Sequence, residues 1–168
     1  MCHTVQYLAY IFAAVRKNSV GIASLVVPTA AAPHDGPGIS QGMKGLLSVL
    51  IVDDSELIRK YLRAVIDENR ELYICGEAEN GAIAVEKVRE LRPDAVILDL
   101  QMPVMNGLEA ARQISKFAPR TLLLMYTGHH TDQLLKEAQA VGIREVFSKT
   151  DEQPNHLLTW LSNACIRH

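Results

Sequence analysis

The 168-residue chain carries 48% hydrophobic and 21% charged residues at a formal net charge of −2, the proportions of a globular chain able to bury one core. That balance excludes bulk electrostatic recruitment of nucleic acid or of an anionic membrane. The three cysteines, Cys2, Cys75 and Cys165, are scattered without a Cys-x-x-Cys pair. This argues against a disulfide framework or a cysteine zinc site and reads as reduced thiols in a cytoplasmic protein.

The N-terminal stretch differs from the rest. Val5 to Val15 is apolar but shorter than the ~20 residues a membrane helix needs. Arg16 and Lys17 follow that run, whereas a secretory signal places its positive charge before the apolar segment. Val20 to Ala32 is a second apolar stretch, ending in small residues that loosely resemble a cleavage site. His34 to Gly45 is rich in Gly, Pro and Ser and reads as a flexible linker. Residues 1–45 are therefore expected to be an extension and linker, or a mis-assigned start ahead of Met43. A short helix from Thr4 to Lys17 that packs on the domain or on a partner is the alternative. Residues 46–168 are expected to fold.

From Leu46 the pattern alternates. Leu46 to Val52 is an apolar, partly β-branched run, the mark of a strand buried on both faces. Leu57, Ile58, Tyr61, Leu62, Val65 and Ile66 then recur at helical spacing. Leu72 to Glu79 predicts a less apolar strand at a sheet edge. Asn80-Gly81 reads as a turn, and Ala82 to Leu91 as a helix stopped by Arg92-Pro93. Ala95 to Leu98 is a buried strand ending in Asp99. A loop with Pro103 and Asn106-Gly107 leads into a helix through Leu108, Ala111 and Ile114. Thr121 to Tyr126 predicts a strand ending at Thr127, and Thr131 to Val141 a helix closed by Gly142. Glu145 to Ser148 is a short strand ending at Lys149. Leu157, Leu158, Leu161, Ala164 and Cys165 mark a final helix.

Alternating strand–helix units argue for an α/β fold with helices on both faces of a parallel sheet. Right-handed crossovers favour the flavodoxin-like, doubly wound five-stranded order 2-1-3-4-5. In such a sheet every strand's C-terminal end lies at one edge, where ligands bind. Strand one delivers Asp53 and Asp54 there, strand three Asp99, strand four Thr127 and strand five Lys149. Crowded carboxylates repel one another unless a cation or a shared proton intervenes. Hard oxygen ligands with room for water suit Mg²⁺. A carboxylate can attack phosphorus, a lysine can neutralise a phosphoryl oxygen, and a hydroxyl can donate to another. Singly, Asp54 or Ser55 reads as a helix cap, Thr127 as a strand-end residue and Lys149 as a solvated lysine. Together, at four strand ends in one pass, accident explains them poorly.

Val49 to Ser55 resembles the acidic-pair signature of response-regulator receiver domains. Val96 to Gly107 resembles that family's phosphoacceptor block, and Thr127 and Lys149 match its hydroxyl and lysine positions. The resemblance covers Leu46 to the C-terminus. It implies a two-component signalling switch, similar to the chemotaxis-type single-domain regulators, whose Asp99 accepts a phosphoryl group from a histidine kinase or phosphotransfer protein. It further implies that Asp54, Asp99 and the Gln101 main-chain carbonyl ligate Mg²⁺ with Asp53 assisting through water, and that Gln101 and His129 influence dephosphorylation.

The chain departs from the family pattern at three positions. The usual aromatic switch position is Val146, with Phe147 one residue further on. Thr150 stands where proline often follows the lysine, which predicts a trans peptide. Gly128 replaces the common alanine after the hydroxyl residue. His129-His130 reads as a pair of solvated loop histidines, and Trp160 as core rather than interface. Only the last helix follows Lys149, so the expected output is contact with a downstream protein, without direct nucleic-acid or membrane binding. The protein is expected to be a switch rather than an enzyme. Two rivals fit less well. An aspartyl-phosphate phosphatase wants an Asp at position 101, where Gln stands, and a flavodoxin-like cofactor binder wants a Ser/Thr/Gly-rich loop in place of Asp53-Asp54.

Overall fold

The structure is a computed structural model whose described residues are 46–129, 131–150 and 155–165; residues 1–45 and His130, on which several expectations fall, lie outside them. The apolar runs form strands Leu47–Val52 (β1), Leu72–Ala78 (β2), Ala95–Leu98 (β3), Leu122–Thr127 (β4) and Ile143–Ser148 (β5). The amphipathic segments form helices Glu56–Asp67 (α1), Gly81–Leu91 (α2), Gly107–Phe117 (α3), Asp132–Ala140 (α4) and Asn155–Cys165 (α5). All strand pairs are parallel, in the expected order β2-β1-β3-β4-β5.

Burial explains the strand patterns. Val49 to Val52, Ala95 to Leu98 and Leu123 to Tyr126 are all buried, so the central strands show no alternation. The edge strands are mixed: β2 is half-buried through its middle, and β5 exposes Arg144 and Glu145. Those two charged residues hide the start of β5, which begins at Ile143 rather than at Glu145.

Four helices open at the carboxyl edge of the sheet, each on a capping side chain. Ser55, Asn80, Asn106 and Thr131 accept hydrogen bonds from the main-chain N–H of Ile58, Ile83, Glu109 and Leu134. Asn106 and Glu109 form a reciprocal capping box. Asn80-Gly81 is thus a helix start and not the turn expected: Asn80 is extended and Gly81 is already helical. Ser55, not Asp54, caps α1, which leaves the Asp54 carboxylate uncommitted to the cap.

Gly107 has a specific steric cause. A Cβ there would collide with the main-chain oxygen of Asp99, so the loop after β3 folds back on itself only over a bare α-carbon. Val104, in the same loop, is strained. It is a β-branched residue at φ +68° and is 85% exposed, so no packing repays the left-handed backbone. Val104→Asn is expected to stabilise the domain by about 1 kcal/mol, since asparagine tolerates this conformation. Chemical denaturation checks it, and an unchanged or lower midpoint would refute the strain.

Candidate functional site

Each residue expected at the carboxyl edge is found there. Asp53 and Asp99 are buried, as is Thr127, whereas Asp54 is exposed. One ligand oxygen each from Asp53, Asp54 and Asp99 lie within 4.8 Å of one another, the one such cluster of acidic, histidine or cysteine groups among the described residues. Lys149 closes the site from β5. Its Nζ lies 2.6 Å from Asp53 Oδ2 and 3.0 Å from Asp99 Oδ1. The cation that carboxylate crowding demands is therefore supplied in part by the chain itself.

The second oxygen of each buried carboxylate is steadied by a backbone N–H. Asp53 Oδ1 accepts from Ser55 N at 3.0 Å, and Asp99 Oδ2 accepts from Gln101 N at 3.1 Å. Burial is the largest influence on Asp53 and pushes its carboxyl above the usual range, although Lys149 opposes the shift. For Lys149, burial alone would lower the ammonium; its bonds to Asp53 and Asp99 outweigh that and raise it, so it stays charged. Thr127 Oγ1 accepts from His129 N at 3.2 Å, which leaves its proton to donate elsewhere. Lys149 N donates to Thr127 O at 2.8 Å and ties the last two strand ends together.

The surroundings leave space for a reactant. Nothing lies within 4 Å of where a Cβ would stand on Gly128. A recess lined by Asp54, Leu100, Gln101, Met102, Asn106 and Leu108 opens beside the carboxylates.

This arrangement coincides with a family model described as the response regulator receiver domain, which matches residues 49–161. The chain belongs to that family. Receivers are phosphorylation-dependent switches of two-component signalling, and this chain is one. It is 37% identical over 107 residues to the chemotaxis protein CheY of Halobacterium salinarum, a match covering 64% of this chain and 88% of that protein. It is 47% identical over 79 residues to a protein-glutamate methylesterase/protein-glutamine glutaminase of Pyrococcus horikoshii. There the match covers 47% of this chain and only 22% of the relative's length. The response regulator domain of Thermotoga maritima CheB superposes with a TM-score of 0.64 at 30% identity, over 73% of this chain and 95% of that one. A CheY in the CheX–CheY–BeF3–Mg complex of Borrelia burgdorferi superposes with a TM-score of 0.65 at 26% identity, over 72% and 96%.

This receiver's aromatic departure has a structural counterpart. Val146 is buried in the core cluster shared with Val85, Leu134 and Ala138. Phe147 points the other way, as strand alternation requires, and meets Trp160 of α5 edge-on, with ring centroids 6.4 Å apart and an interplanar angle of 76°. Trp160 is half-buried rather than core. No cis peptide occurs among the described residues, as expected with Thr150 after the lysine. No helix among them is long and apolar enough to cross a membrane.

Two residues beside the site were not anticipated, Arg59 and Glu77. Arg59 sits on α1 and bonds the main chain of the acidic pair. Its only sequence signal is a position on the polar side of an amphipathic helix, where a solvated arginine is the ordinary reading.

Proposed function

We propose that Asp99 is the phosphoacceptor of this receiver, charged by a histidine kinase or phosphotransfer protein. In this reading Mg²⁺ is held by Asp54, Asp99 and the Gln101 carbonyl, with Asp53 assisting. The observation that carries the proposal is the Lys149 ammonium bridging Asp53 and Asp99, one strand end away from the Thr127 hydroxyl.

The donor set fits that metal. Three carboxylate oxygens within 4.8 Å of one another are a cluster of hard, anionic donors, the kind of ligand Mg²⁺ takes in preference to nitrogen or sulfur. When bound, the metal offsets the negative charge of the incoming phosphoryl group. The protein's own part is the following. An Asp99 carboxylate oxygen attacks phosphorus, the O–P bond forms, and the bond from phosphorus to the donor breaks with its electron pair leaving on the donor. Lys149 exchanges its Asp99 contact for a phosphoryl oxygen, and Thr127 donates its hydroxyl proton as a hydrogen bond to another. Gln101 and His129 are both exposed, and in this reading they act on the water that enters during hydrolysis. The output is a changed surface read by a downstream protein, in the cytoplasm.

Incubation with Mg²⁺ and a small-molecule acyl phosphate should yield an acid-stable, base-labile phosphate on the chain; no such label would overturn the assignment. Mg²⁺ should also raise the melting temperature, because it binds the folded site and not the unfolded chain. At ten times its dissociation constant the gain is about 1.4 kcal/mol, or roughly 3–6 °C for a domain of this size. Asp54→Ala should lose that gain; a variant that still responds like the wild type would remove Asp54 from the ligand set.

A further inference from the structure

Arg59 is anchored at both ends. Its Nη1 donates to Asp53 O at 2.8 Å and, at longer range, to Asp54 O at 3.4 Å. Its Nε donates to Glu77 Oε2 at 3.2 Å. The other Glu77 carboxylate oxygen accepts from Arg63 Nε at 2.9 Å, and the Glu77 main-chain oxygen accepts from Lys87 Nζ. On the sheet side, Asp53 N donates to Ala78 O at 3.1 Å. The backbone of the acidic pair is thus held from β2 on one flank and from α1 on the other.

A solvent-exposed ion pair would add little here. This one is not of that kind. The Arg59 side chain is only 15% exposed, and its two carbonyl acceptors carry no net charge to attract it. The planar guanidinium spans the loop and the carboxylate at once, a geometry one ammonium cannot reproduce.

We propose that Arg59 is a positioning residue for the divalent cation, fixing the Asp53–Asp54 main chain so that both carboxylates face the site, with Glu77 as its anchor. The proposal rests on the Mg²⁺ reading above. It makes a prediction of opposite sign to plain electrostatics. A nearby positive charge repels a cation, so deleting it would tighten Mg²⁺ binding if charge were all that mattered. Deleting a positioning contact loosens it, and outer contacts of this type typically cost 10–100-fold in metal affinity.

The test is Mg²⁺ titration of the full-length chain by calorimetry, at a temperature where every variant is folded. Arg59→Gln is expected to weaken Mg²⁺ about tenfold. Arg59→Lys, which keeps the charge, is expected to weaken it by a smaller factor. Arg63→Gln also loses a Glu77 contact but touches no site backbone, and should bind Mg²⁺ as the wild type does. In phosphorylation by an acyl phosphate, the Arg59 variants should need more Mg²⁺ for half-maximal rate yet reach a near-normal rate at saturation. Equal or tighter Mg²⁺ binding by the Arg59 variants overturns the proposal, as does an Arg63→Gln that weakens binding as much as Arg59→Gln. If Arg59→Gln does not fold, Arg59→Lys decides alone. A wild type that binds no Mg²⁺ defeats the site reading itself, an outcome distinct from either.

Discussion

Asp99→Asn should take up no phosphate from an acyl phosphate in the presence of Mg²⁺ while keeping the wild-type fold. The amide matches the carboxylate in shape but offers no nucleophilic oxygen. The variant should also be at least as stable as the wild type without Mg²⁺. Asp99 is 5% exposed and shares Lys149 with Asp53. Its removal leaves the 2.6 Å contact from Lys149 to Asp53 in place and takes one negative charge out of a cluster that holds three carboxylates and one ammonium. Mass spectrometry and thermal melts in EDTA check the two halves. Labelling at the wild-type level would move the phosphosite elsewhere, and a much lower melting point would mean that the Lys149–Asp99 contact outweighs the repulsion.

Lys149→Met should be the most destabilising change at the site. The lysine side chain is 17% exposed, and the carboxylate side chains of its partners Asp53 and Asp99 are only 2% and 6% exposed, so solvent compensates poorly for its loss. Stripping one partner from a buried pair costs about 3–5 kcal/mol, and the residual exposure of Lys149 places the expectation near the lower figure. Two further signatures separate this cause from loss of packing. Mg²⁺ should stabilise the variant more than the wild type, because it replaces the missing cation. The deficit should also narrow as pH falls. The Asp53 carboxyl already lies above the usual range through burial, and without Lys149 it rises further. A carboxyl whose folded value exceeds its unfolded value is stabilised in the protonated form, so it penalises folding as pH rises through the unfolded value and relents below it. Equal melting points for variant and wild type in EDTA at pH 7 would refute the account.

The part of the fold that was legible in the sequence is the part where burial is complete on both strand faces. β1, β3 and β4 announce themselves by predominantly apolar runs, and their ends carry Asp53, Asp99 and Thr127. Their convergence needed only the strand order. Legibility fails where one residue type serves two purposes. Asn-Gly suits a turn and equally suits a helix start, and only the packing of Gly81 against the loop after β3, where its N–H meets Met105 O at 3.0 Å, selects the second. It fails again at an edge, where Arg144 and Glu145 point outward and mask the beginning of β5. Arg59 and Glu77 lie 18 positions apart with no periodic relation, so their bond exists only once α1 packs beside β2. The strain at Val104 leaves no trace in composition, since valine is the residue least suited to that backbone.

The edge-on pair of Phe147 and Trp160 has a practical consequence. The chain has one tryptophan. Its indole rests against a ring two residues before the lysine that bridges the acidic site. Excited at the red edge, where tyrosine does not absorb, the unlabelled protein therefore emits from a single indole at the seam of β5 and α5. Each titration described above, run on the folded protein, carries its own optical channel local to that seam.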